Sequence, residues 1–140
     1  MAEIQENNDD KQKRREKLLE LQMFDQQIKQ LEDQMRRIEE QILEINTLID
    51  SISELKTVKT GQEILVPVAN GIFANAKIDD TKILKVNVGG GVVVEKTIDE
   101  TINMLKDQIK SVEGYREEMF LELQKIVMKA SELQADIIGG

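Results

Sequence analysis

From Leu21 to Ile52 apolar residues recur in alternating steps of three and four. Leu21, Ile28, Met35, Ile42 and Ile49 hold one heptad position, Phe24, Leu31, Ile38, Ile45 and Ile52 hold the other, and charged or amide residues fill most places between. Sustained over several heptads, this spacing marks a coiled-coil seam. It predicts a helix over residues 11–56, with the polar, aperiodic residues 1–10 as a loose tail whose Asp9 or Asp10 caps the helix. A second helix is predicted over 97–138, with its seam at Ile102, Leu105, Ile109, Val112, Met119, Leu123, Ile126, Ala130, Leu133 and Ile137. Arg116 is the one polar intruder in that seam. The start is specified by Thr97-Ile98-Asp99-Glu100, a capping box. Laid antiparallel, the two seams match with Ile52 opposite Ile102, Ile28 opposite Ile126, Leu21 opposite Leu133, and Arg116 opposite Ile38. A shift of one heptad either way also pairs them but strands layers at one end, so the matched lengths favour the first register.

Between the helices, over residues 62–96, the period changes. EILVPV, GIFANAKI, KILKVNV and VVVEK are short and rich in Val and Ile, and turn chemistry separates them at Asn70-Gly71, Asp79-Asp80-Thr81 and Gly89-Gly90-Gly91. Two antiparallel β-hairpins follow, with Asn70-Gly71 favouring a type I′ turn. Pro67 cannot donate to a ladder, so it belongs at an edge or a bulge. Ile64-Leu65-Val66 and Val92-Val93-Val94 present apolar side chains to both faces. Four short strands cannot bury two apolar faces alone. Ile64, Val66, Val68, Ile72, Val86, Val88, Val92 and Val94 are therefore the candidate subunit-assembly residues. The fold class is α+β: a long antiparallel two-helix coiled coil with two hairpins inserted, read as a single domain over 1–140.

Composition narrows the function. Only 3% of the residues are aromatic while 33% are charged, which is little material for a globular core and favours association. The net charge of -8 opposes non-specific nucleic-acid binding. With no Cys and no His, thiolate chemistry, imidazole bases and the commonest zinc ligands are missing together. Gly89-Gly90-Gly91 leads into a strand without a following Lys-Ser/Thr, so it is a turn and not a phosphate loop. Asp79-Asp80 supplies too few ligands for calcium. No catalytic, cofactor or metal site is expected, and the chain is not read as an enzyme. No apolar run is long enough to span a membrane, and the chain reads as cytoplasmic.

The middle of the chain carries a more specific pattern. The runs Glu63-Ile64-Leu65-Val66-Pro67-Val68, Gly71-Ile72-Phe73-Ala74-Asn75-Ala76 and Val86 to Lys96, set between two matching coiled-coil helices, resemble the alpha-class subunit of archaeal-type prefoldin. The resemblance covers nearly the whole chain. It implies that the hairpins join those of other subunits in an oligomeric β-barrel, in a hexamer of two alpha-type and four beta-type chains. Such a hexamer is an ATP-independent holdase that captures non-native proteins at its coiled-coil tips and delivers them to a group II chaperonin. An alpha-like, filament-forming gamma class and a plain coiled-coil adaptor are the alternatives.

A holdase needs apolar surface apart from its own core. Leu18, Leu19 and Met23 on the first helix, and Val127, Met128 and Ile138 on the second, fall outside the seams. The terminal seam residues Leu21, Phe24, Leu133 and Ile137 join them as candidate client-binding positions if the tip opens. Met suits promiscuous contact because its side chain is flexible and polarizable.

Overall fold

The computed structural model describes residues 2–139, with side chains from residue 8 onward. The chain runs α1 (Ala2–Glu54), a 3-10 turn (Leu55–Thr57), β1 (Glu63–Ala69), β2 (Ile72–Lys77), β3 (Ile83–Gly89), β4 (Val92–Thr97) and α2 (Ile98–Gly139). Helix α1 begins earlier than the seam predicts. Residues 2–10 contain neither Gly nor Pro and are led by Ala, Glu and Gln, which favour helix, so the helix propagates through them. Asp9 and Asp10 accordingly lie inside α1 and not at its cap. The cations of residues 11–17 stand more than a turn from the N-terminus, beyond the reach of the unfavourable end of the helix dipole.

Two compact units divide the chain. The first joins residues up to Glu40 with residues from Val112 onward. Within it Leu21, Phe24, Ile28, Leu31, Met35 and Ile38 of α1 are half-buried, as are Val112, Arg116, Met119, Leu123, Ile126, Leu133 and Ile137 of α2, while Ala130 is buried. Those are the two expected seams. Lys17 lies in one cleft with Ile137, and Met35 and Glu39 share another with Arg116, in keeping with the antiparallel register that sets Ile38 opposite Arg116. Arg116 is half-buried at its seam position and lines this cleft with Glu39, Glu113 and Glu117.

Gly114 lies inside the continuous helix α2 in this unit. A Cβ added there would meet nothing within 4 Å, so no packing demand accounts for a glycine. Substituting Gly114→Ala is expected to raise stability by about 0.5–1 kcal/mol, because glycine loses more backbone entropy in a helix. Urea denaturation followed by circular dichroism reads this gain, and a loss would point to a role for the flexible backbone.

The second unit spans Gln41–Ser111. Ile45, Ile98, Ile102 and Leu105 are buried in it, with Thr101 at 3% exposure beside them. The Thr101 hydroxyl is satisfied, donating to the Thr97 carbonyl at 2.8 Å. The capping box is formed: Glu100 N–H donates to Thr97 Oγ1 at 3.1 Å, and Thr97 N–H donates to Glu100 Oε1 at 3.3 Å. Lys56 Nζ reaches Asp99 Oδ1 at 2.7 Å, joining the 3-10 turn to the first turn of α2. Both partners are exposed, so the pair contributes little energy.

Each hairpin is a two-stranded antiparallel sheet. Their registers repeat. Glu63 pairs with Lys77 and Ala69 with Ile72 in the first; Ile83 pairs with Thr97 and Gly89 with Val92 in the second. In both, the register shifts two residues before the turn, leaving Val68 and Val88 without a direct partner. Pro67 thus stands next to a bulge, as its missing donor demands. The turns differ. Gly90 (φ 59°) and Gly91 (φ 77°) both take the positive φ of a type I′ turn, but at Asn70-Gly71 only Gly71 does (φ 76°). The expected I′ turn is therefore absent from the first hairpin, where a negative φ at Asn70 avoids the left-handed conformation that costs a residue with a Cβ.

Candidate assembly and client-binding surfaces

In β1, Ile64 and Val66 share a face, opposite Ala76 and Ala74 on β2. Leu65 and Pro67 take the other face, opposite Asn75 and Phe73. Every residue of β1 is exposed in the isolated chain, Leu65 by 65%, and Phe73 across the sheet by 58%. This hairpin presents apolar atoms on both faces. The second hairpin alternates more clearly. Leu84, Val86, Val94 and Lys96 form its half-buried face, with Val86 directly opposite Val94, and Lys85, Asn87 and Glu95 occupy the other with Val93.

Of the expected assembly residues, Ile64, Val66, Val68, Ile72, Val88 and Val92 are exposed, while Val86 and Val94 are half-buried. Leu65, Phe73 and Val93 are not among them, although each is more than half exposed. Their signal was present in the apolar runs, but a run gives no reason to choose its odd or even members.

On the helices Leu18, Leu19, Met23, Val127, Met128 and Ile138 are exposed outside the seam. Leu21, Phe24, Leu133 and Ile137 are half-buried within it, so they are packed and not displayed when the helices are paired. Phe120 and Leu121 extend the exposed apolar positions of α2. Each precedes one of the expected residues by a heptad, Phe120 before Val127 and Leu121 before Met128, a repeat beside the seam that the spacing of the sequence already contained.

A model of the family described as Prefoldin subunit matches residues 24–137. The chain belongs to the prefoldin family. It is 27% identical over 122 residues to the prefoldin subunit alpha of Archaeoglobus fulgidus, covering 87% of this chain and 89% of that one. To the prefoldin subunit alpha of Methanococcus maripaludis it is 30% identical over 105 residues, covering 75% and 71%. Its structural neighbours include a chain of the filamentous PFD of Methanocaldococcus jannaschii solved by cryo-EM, with a TM-score of 0.74 at 23% identity, covering 82% of this chain and 95% of that one. The archaeal alpha-type resemblance and the α+β class, two long helices with two hairpins between, both hold. Prefoldin is a chaperone family and not a family of enzymes. Among the described residues no helix is long and apolar enough to cross a membrane.

Proposed function

We propose that this prefoldin chain is the alpha-type subunit of a cytoplasmic, ATP-independent holdase, a hexamer with four beta-type partners and a second alpha-type chain. The whole chain then works as one prefoldin-like domain. Its hairpins complete an oligomeric β-barrel with those of its partners, and its helix ends capture non-native proteins for delivery to a group II chaperonin. The observation that carries this reading is the first hairpin, a two-stranded sheet that leaves Leu65, Val68, Ile72 and Phe73 exposed and has no third strand to cover them. Capture gains its strength from avidity, since several weak apolar contacts around one client raise the effective concentration for the next.

The test is a mass measurement by light scattering, with and without a beta-type subunit, followed by an aggregation assay on a denatured model protein. A discrete mixed hexamer that suppresses aggregation supports the proposal. Within that hexamer, replacing Leu18, Leu19, Met23 and Met128 by Gln is expected to leave the mass unchanged and weaken suppression several-fold. Unchanged suppression would remove these positions from client capture. A second reading, an alpha-like filament-forming chaperone, is favoured by the filamentous assembly of the structural neighbour, and open-ended polymers of the chain alone would select it.

A further inference from the structure

The chain's net charge is -8, yet residues 11–17 carry Lys11, Lys13, Arg14, Arg15 and Lys17 against Glu16 alone. Only Lys17 of this cluster is half-buried, and the hairpins use none of it. Arg14 and Lys17 fall on the heptad positions that continue the α1 seam beyond Leu21. There the seam changes from apolar to cationic where α2 reaches its end at Gly139. Lys11, Lys13, Arg14 and Lys17 line a cleft of about 320 Å³ together with Asp10, Asp136 and Ile137. Lys11, Lys13, Arg14 and Arg15 are exposed, and the ion pairs among the described residues lie elsewhere, at Arg36–Asp33 and Lys56–Asp99. Directly C-terminal to the cations, Leu18 and Leu19 are exposed as well.

We infer that this cationic end of α1 is a docking surface for an acidic, extended segment of a non-native polypeptide in which carboxylates flank apolar residues. The inference rests on the holdase reading above and adds to it a substrate class. The carboxylates meet the Lys and Arg side chains while the neighbouring apolar residues meet Leu18 and Leu19. The patch is one short stretch of one helix, Asp10 and Asp136 line the same cleft, and Asp9 and Glu20 flank it in sequence. That setting suits a short segment with few charges and repels a continuous polyanion such as RNA. Long-range attraction of this kind sets encounter rate and choice of partner more than total affinity.

The experiment uses the full chain in its assembled form. It measures fluorescence anisotropy with two unstructured labelled peptides of equal length and apolar content, one bearing glutamates and the other lysines. The acidic peptide is expected to bind about tenfold more tightly at low salt, with the preference shrinking as added salt screens the exposed charges. The variant carrying Lys11→Glu, Lys13→Glu and Arg14→Glu is expected to lose or invert that preference with its helix content and mass unchanged. Equal, salt-insensitive binding of both peptides, with aggregation suppression intact, overturns the inference and leaves the holdase reading standing. Tighter binding of an RNA oligonucleotide than of the acidic peptide overturns it in favour of a nucleic-acid site. Failure to bind either peptide, together with no suppression, overturns both readings.

Discussion

Replacing Leu65 and Phe73 together by Asp is expected to abolish assembly, leaving a particle whose mass by light scattering is that of the isolated chain. The two side chains lie on one face of the first hairpin, Phe73 opposite Pro67 and Leu65 two pairs further along, and they are among the most exposed large apolar groups of the strands. Covering a Leu or a Phe is worth roughly 1.5–3 kcal/mol each. An aspartate in the same interface reverses that gain and adds the cost of an unpaired buried charge. Several kcal/mol per contact, repeated in every subunit interface, exceeds what a weak assembly tolerates. The hairpin itself should persist, because its ladder runs through backbone groups that these substitutions leave in place. Assembly at the normal mass would mean that this face points to solvent, and the same pair of changes at Ile64 and Val66 would then test the opposite face.

The second large effect is expected at Leu105. This residue is 7% exposed and sits in the core with Ile45, Ile98 and Ile102. Truncation by Leu105→Ala removes buried methyl groups and leaves a cavity, costing about 2–4 kcal/mol. Leu43, exposed on α1 outside the seam, serves as the comparison, and Leu43→Ala is expected to change stability by less than about 0.5 kcal/mol. Urea denaturation of the chain at one fixed protein concentration distinguishes them, since any association contributes to apparent stability by mass action. Similar losses at both positions would mean that the helix pairing is not what holds this unit together.

The helical seams were legible residue by residue, because a period near three and a half places each apolar side chain on one stripe and leaves no alternative face. Arg116 could be read as a flaw in that stripe, and it lies half-buried there. The capping box at Thr97 and Glu100 was equally readable, since its hydrogen bonds are local and close over three residues. The client-binding candidates divided along the seam. Positions outside it, such as Leu19 and Met128, are on the surface, whereas Leu21, Phe24, Leu133 and Ile137 are packed. Phe120 and Leu121 are exposed as well, and their heptad relation to Val127 and Met128 is contained in the spacing of the sequence.

By itself the sequence determined where the helices pair, which residues line the pairing, where α2 begins, and that two hairpins interrupt the coil. All of these rest on interactions between residues a few positions apart or on a period repeated many times. The faces of the hairpin strands, the bulges at Val68 and Val88, and the departure from a type I′ turn at Asn70-Gly71 were decided by the tertiary structure. Where apolar residues occupy both faces of a strand, alternation carries no information, and only pairing with the neighbouring strand assigns each side chain to a side. The extension of α1 to Ala2 was likewise a matter of propagation. A helix already nucleated adds residues at little cost, and a polar stretch without Gly or Pro contains nothing to stop it.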